Sequence, residues 1–168
     1  MAESILYDDD ILLWSERQAE LIRKLGTTRR DFPNDFDVEN VAEEIESVGR
    51  SELASVENLI YNILIHRLKL STRAESAAAR HWRGEIISFH GEVQRRYAPS
   101  MRQRITLERL WTRAREQLVT ASKDADTMAT LLPHLPPFTL DDFLGERIDT
   151  SALVSSLRAS GTLKPLGV

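Results

Sequence analysis

From Val38 onward, apolar side chains recur in one helical phase over an unusual length. Val38, Val41, Ala42, Ile45, Val48, Leu53, Val56, Leu59, Ile60 and Ile63 fall on a single stripe when each residue is advanced by about 100°. An interruption at Gly49-Arg50-Ser51 would reset the stripe, and two helices hinged there are the alternative. The phase survives, so the sequence predicts one helix from about Val38 to about Leu70, roughly 50 Å long at 1.5 Å per residue. Its first half is amphipathic, with Glu39, Glu43, Glu46, Arg50 and Glu57 opposite the stripe. Its second half, LIYNILIHRLKL, is apolar almost all round and belongs at the centre of a core.

The rest of the chain reads as further helices. Asp8, Asp9 and Asp10 suit an N-cap and the positive end of a helix dipole, and Ile11, Trp14, Gln18, Leu21, Ile22 and Leu25 follow at helical spacing. Gly26 is the expected stop, and residues 27–35, with Pro33, form a turn. Residues 71–80 read as a connection. A third helix presents Trp82, Ile86, Phe89, Val93 and Tyr97 and ends before Pro99. Ser100 is the expected cap of a fourth, whose stripe is Leu107, Leu110, Trp111, Ala114, Leu118 and Ala121. After Met128 comes a proline-rich bend, PHLPPF. Thr139 to Asp142 then reads as a capping-box start of a short helix through Leu144, stopped by Gly145. A last helix is expected over about residues 151–160. No alternating run is flanked by Asn-Gly or Asp-Gly, so no hairpin is indicated. The fold class is all-α: a compact bundle of four to five main helices with one long central helix. The expected organisation is a single domain over 1–168, with 145–168 as a C-terminal appendage.

Composition excludes several kinds of chemistry. The 168 residues contain no cysteine, which removes disulfides, thiolate catalysis and cysteine-ligated metals. No apolar run reaches the roughly 18 residues of a membrane span, and a cytoplasmic, bacterial-type protein is expected. There is no Gly-x-Ser-x-Gly elbow, no glycine-rich phosphate loop and no HExxH. His81 and Glu85 share a helix face, but two ligands do not make a site.

Charge is unevenly distributed. Residues 1–60 carry 6 basic and 15 acidic side chains, whereas residues 61–120 carry 12 basic and 5 acidic ones. Either the two halves compensate each other, within the fold or across a subunit interface, or the basic helices meet an anionic partner. Arg102, Arg109 and Arg113 are the anion-binding candidates, but a pI near 5.6 and the neighbouring Glu108 and Glu116 argue against nucleic acid. Glu39, Glu43 and Glu46 share a face that could offer carboxylates to a divalent cation, yet no Glu-x-x-His pair accompanies them. They read as a solvated face, with Glu46 and Arg50 paired at i, i+4. Glu52 and Arg67 are different, because both fall on or near the apolar stripe. A buried charge demands a partner, so Glu52 is expected to meet an arginine among Arg80, Arg83, Arg95 and Arg96, and Arg67 a carboxylate of the first helix. The alternative is a cleft lined by Glu52, His66, Arg67 and Lys69 that binds a small molecule or substrate. No cofactor and no metal are expected.

These residues also carry a resemblance. Tyr7-Asp8, Trp14, Gln18-Ala19, the run Glu39-Asn40-Val41-Ala42-Glu43-Glu44-Ile45-Glu46-Ser47-Val48-Gly49-Arg50-Ser51-Glu52, then His66, Lys69 and Trp82 resemble domain-of-unknown-function family twenty-nine of cyanobacteria and proteobacteria. AEEIESVGRSE is the specific part, and the likeness extends from about Leu6 to Leu144. Members commonly carry a tryptophan shortly after the Lys69-type lysine, where this chain has Leu70-Ser71, and the late cysteine of some members is missing. The resemblance implies a helical bacterial protein and supplies no mechanism. The expected role is therefore a non-enzymatic protein-interaction module, its partner another protein or a second copy of itself.

Overall fold

The long stripe keeps its register: α3 (Val38–Thr72) is one helix of 35 residues. This is seen in a computed structural model that describes residues 2–29, 33 and 35–151, with side chains from residue 6 onward. Gly49 does not break the helix because its missing Cβ serves packing. A Cβ at Gly49 would overlap Ser15 Oγ and lie 3.0 Å from the Leu12 Cα.

The chain divides into two compact units, one comprising residues up to Val56 together with Arg96–Ile105, the other Glu57–Arg95 together with Thr106 onward. The first unit contains α1 (Ala2–Asp9), α2 (Ile11–Thr28), the Val38–Val56 part of α3 and a 3-10 helix, Pro99–Gln103. Asp10 caps α2, its carboxylate accepting from the Leu13 N–H at 3.0 Å. The same carboxylate accepts from the Ser100 N–H at 2.9 Å and its hydroxyl at 2.6 Å. Ser100 is thus bound to the start of α2 within the 3-10 helix, and Thr106, not Ser100, precedes the next α-helix. The N-terminal α1 was not indicated by the sequence pattern; Tyr7 on it meets Trp14 of α2 edge-on at 4.7 Å.

Gly26 does not stop α2, which runs on to Thr28. A Cβ at Gly26 would sit 2.7 Å from both methyl groups of Val38, so α2 and α3 lie antiparallel with close contacts at Gly26–Val38 and Ser15–Gly49. The face of α2 that makes this contact is Leu12, Ser15 and Ala19. Leu21 and Leu25, expected to be buried, are each 43% exposed, and Val48 is 44% exposed. A stripe of small residues lets the two backbones approach, and the larger leucines are rotated outward.

The second unit contains Glu57–Thr72 of α3, most of α4 (Ala79–Arg96), α5 (Leu107–Thr120), α6 (Ala125–Leu131) and α7 (Asp141–Leu144). Its core is the all-round apolar half of α3, with Ile60, Ile63, Leu64, Leu68 and Leu70 essentially inaccessible. Ile86 and Val93 of α4 and Leu110, Trp111 and Ala114 of α5 join it. Ala121 does not; it lies at the exposed end of α5. The unexpected helix α6 is capped by Asp124, which accepts from the Thr127 N–H at 3.0 Å. Arg115 closes its other end by donating to the carbonyls of Ala129 and Leu132. The bend after α6 is tied down by the Trp111 indole N–H, which donates to the Pro133 carbonyl at 3.1 Å. At α7 the Asp142 carboxylate accepts from the Thr139 N–H at 2.8 Å, the back-reaching half of a capping box. His90 and Gln94 of α4 hold the Gly145 carbonyl.

Among the described residues there is no strand, and no helix is long and apolar enough to cross a membrane. The helix expected over 151–160 lies outside the described residues except for Ser151, as do positions 30–32 and 34 of the expected turn.

Candidate functional site

The acidic face of α3 is met by a base from α2. Arg23 lies four residues beyond Ala19, beside the small-residue contact face, and its Nε reaches Glu39 at 3.0 Å while Nη2 reaches Glu46 at 3.0 Å and Glu43 at 3.8 Å. Arg50, one turn further along α3, bonds Glu43 and stands 3.8 Å from Glu46. Three carboxylates and two guanidiniums thus form one network in the first unit. Hydrogen bonding to Glu46, then to Glu39, raises the proton affinity of Arg23 further. These glutamates are engaged by arginines, so the carboxylates considered as cation ligands form an ion network between α2 and α3. Sequence reasoning missed Arg23, although an acidic face on one helix signals a base on whichever helix packs beside it.

Glu52 pairs with Arg96 at 3.0 Å, one of the four arginines named for it. The pair is not buried, however: the Glu52 side chain is 32% exposed and Arg96 44%. At Glu52 the edge of the apolar stripe reaches solvent.

Arg67 is the most deeply buried charged side chain among the described residues. It is 1% exposed, in the second unit, and its partner is not a carboxylate of the first helix. One donor, Nη2, gives a 2.9 Å hydrogen bond to the Asp149 carbonyl. The guanidinium otherwise sits against two rings, 4.8 Å from the centroid of Phe138 and 5.0 Å from that of Phe143. Nε and Nη1 are buried with no acceptor among the described residues. Burial lowers the proton affinity of Arg67 from its ordinary value, and the carboxylates of Asp142 and Asp149 oppose that shift. Phe138 and Phe143 were not foreseen as its company, because contacts across some 70 residues leave no local periodic signal.

His66 is half-buried, stacked on Phe89 at 5.8 Å, with Nδ1 buried and without a hydrogen-bond partner among the described residues. Burial chiefly, then the nearby Lys69 and His81, push its pKa below the usual imidazole value, while Glu85 pulls the other way. Lys69 lies in the last turn of α3, where a cation suits the dipole, and Trp82 is half-buried on α4. Glu52 belongs to the first unit and His66, Arg67 and Lys69 to the second.

The arginine candidates also separate. Arg102 lies in the 3-10 helix of the first unit, Arg109 and Arg113 on α5 of the second. Arg109 pairs with the largely buried Glu57 at 2.5 Å, and Arg113 lies 4.3 Å above the Tyr61 ring, whose hydroxyl bonds Gln117. Glu57, Asn58, Leu110 and these two arginines line a shallow groove.

Comparison with known proteins agrees with this helical frame. Among curated proteins, none matches the chain. The crystal structure of an alpha-helical protein of unknown function from Rhodospirillum rubrum is similar, with a TM-score of 0.79 and 32% identity over 89% of this chain and 95% of that one. The profile of the domain of unknown function DUF29 matches residues 6–148, which include the glutamate run, Arg50, Glu52 and Arg67, and the chain belongs to that family.

Proposed function

We propose that the protein is a non-enzymatic helical module that acts through contacts with other protein surfaces. The observation that carries this reading is where apolar surface is left uncovered. Of eight large apolar side chains exposed among the described residues, six lie between Tyr7 and Val48: Tyr7, Leu13, Leu21, Leu25, Phe36 and Val48. Ile87 and Leu135 are the other two. Single exposed leucines are ordinary, but their concentration in one unit supports the reading of a contact surface. The chemistry-bearing groups support the same reading. The motif glutamates are held by Arg23 and Arg50, Glu52 by Arg96, and Arg67 is enclosed.

Cross-linking of the tagged full-length chain in its own cells, followed by mass spectrometry, tests the proposal. The expected outcome is a cross-linked protein, another chain or a second copy, that is lost in the double variant Leu21→Glu/Leu25→Glu while helix content is unchanged. Absence of any cross-linked protein, itself included, overturns it.

A further inference from the structure

We propose that the outer face of α2 pairs with the same face of a second copy, antiparallel about a two-fold axis near residues 22–23. This rests on the interaction reading above and names its partner. With Leu12, Ser15 and Ala19 turned inward, Leu21 lies on the opposite side of α2, and Leu25 follows it at i+4. Beside them a groove of about 230 Å³ is lined by Arg17, Glu20, Leu21 and Lys24. That is below the roughly 300 Å³ at which small-molecule sites begin, and it suits a side chain from a facing helix better than a free ligand.

Charge then selects the partner and the direction. Glu20 and Lys24 lie on the same flank of the leucine pair, with opposite signs. In a parallel two-fold pairing the flank bearing Glu20 and Lys24 would lie on opposite sides of the seam in the two copies, so neither charge would meet the other. An antiparallel pairing centred between residues 22 and 23 sets Leu21 against the partner's Leu25 and Glu20 against the partner's Lys24. By symmetry both contacts occur twice, as an isologous interface requires. The face is therefore self-complementary in apolar shape and in charge.

Sedimentation equilibrium of the full chain over a concentration series tests this. The wild type is expected to form a reversible dimer, and Leu21→Glu/Leu25→Glu to stay monomeric. Glu20→Lys and Lys24→Glu should each weaken dimerisation by roughly tenfold or more, because each places two like-charge contacts in the dimer. An equimolar mixture of those two variants should regain the wild-type association as a heterodimer, since both of its charged contacts then join a lysine of one copy to a glutamate of the other. A merely intrahelical role for Glu20 and Lys24 predicts no recovery on mixing. The proposal falls if the wild type is monomeric throughout, if the leucine variant dimerises as well as the wild type, or if mixing restores nothing. Should the wild type be monomeric yet still cross-link another protein through Leu21 and Leu25, the interaction reading stands and self-pairing alone is refuted.

Discussion

Replacing Arg67 by methionine is expected to make the protein more stable, and replacing it by alanine less stable. A buried guanidinium loses several kcal/mol of hydration, even after local relaxation. Against this stand one charge-assisted hydrogen bond to the Asp149 carbonyl, worth about 1.5–3 kcal/mol, and two ring contacts near 5 Å, worth about 1–2 kcal/mol each when desolvated. Nε and Nη1 have no acceptor among the described residues, and an unsatisfied buried donor costs about 1–3 kcal/mol. The attraction of the Asp142 and Asp149 carboxylates offsets part of this, and the balance is unfavourable by about 1–3 kcal/mol. Methionine keeps the unbranched stem and most of the volume, discards the charge, and offers sulfur to the edges of Phe138 and Phe143 for about 0.3–1.5 kcal/mol. A gain of about 1–3 kcal/mol is expected for Arg67→Met. With a urea slope near 2 kcal/mol per molar, the midpoint should rise by about 0.5–1.5 M. Arg67→Ala discards the charge too, but opens a cavity beside Phe138 and Phe143 that costs about 2–5 kcal/mol relative to methionine, so a net loss of about 1–2 kcal/mol from the wild type is expected. Urea denaturation of the three proteins by circular dichroism decides. If Arg67→Met is destabilised by about 2 kcal/mol or more, the guanidinium has a stronger partner than the Asp149 carbonyl, and the reasoning fails.

Three further substitutions probe the frame. Gly49→Ala gains about 1 kcal/mol of helix propensity, but its Cβ would press on Ser15 Oγ and the Leu12 backbone; a net loss of about 1–2 kcal/mol is expected, lowering the melting temperature by about 2–8 °C. Asp10→Ala removes the α2 cap and strands the Ser100 N–H and hydroxyl, and should cost about 2–3 kcal/mol in chemical denaturation, whereas Asp10→Asn keeps most of the bonds and should cost less. His66 has a folded pKa below its unfolded value near 6.5, so the stability it contributes is complete above that pH. It is lost as pH falls through the lowered folded value, because the unfolded chain takes up the proton first. Melting temperatures measured from pH 8 down to 5 should therefore fall less steeply for His66→Phe than for the wild type, and equal slopes would contradict the assignment.

What could be read from residues alone was whatever repeats along one helix. The α3 stripe needed only its own phase, and the all-round apolar half announced its burial because no face of it was polar. The α2 contact face was illegible for the opposite reason. Hydrophobicity ranks Leu21 and Leu25 above Ser15, Ala19 and Gly26, yet the close contacts at Gly49 and Val38 select the small residues and turn the leucines away. Ala121 and α6 escaped through similar ambiguity, since seven polar and apolar residues without a run have no phase to read.

The charged positions show how far one motif can mislead about the kind of site it makes. Glu39, Glu43 and Glu46 at i, i+4 and i+7 read as a solvated acidic face when α3 is considered by itself. Placed beside α2 they become acceptors for Arg23, whose own position follows from the small-residue contact that brings the helices together. Such exposed pairs, screened by solvent, contribute too little to hold two helices together. A like charge in place of Arg23, by contrast, would face three carboxylates, so the network acts mainly on which face of α2 may lie against α3. The same selection that seats Arg23 inward turns Leu21 and Leu25 outward. The motif therefore reinforces the rotation of α2 that the small-residue contact sets, and with it the exposure of its apolar face.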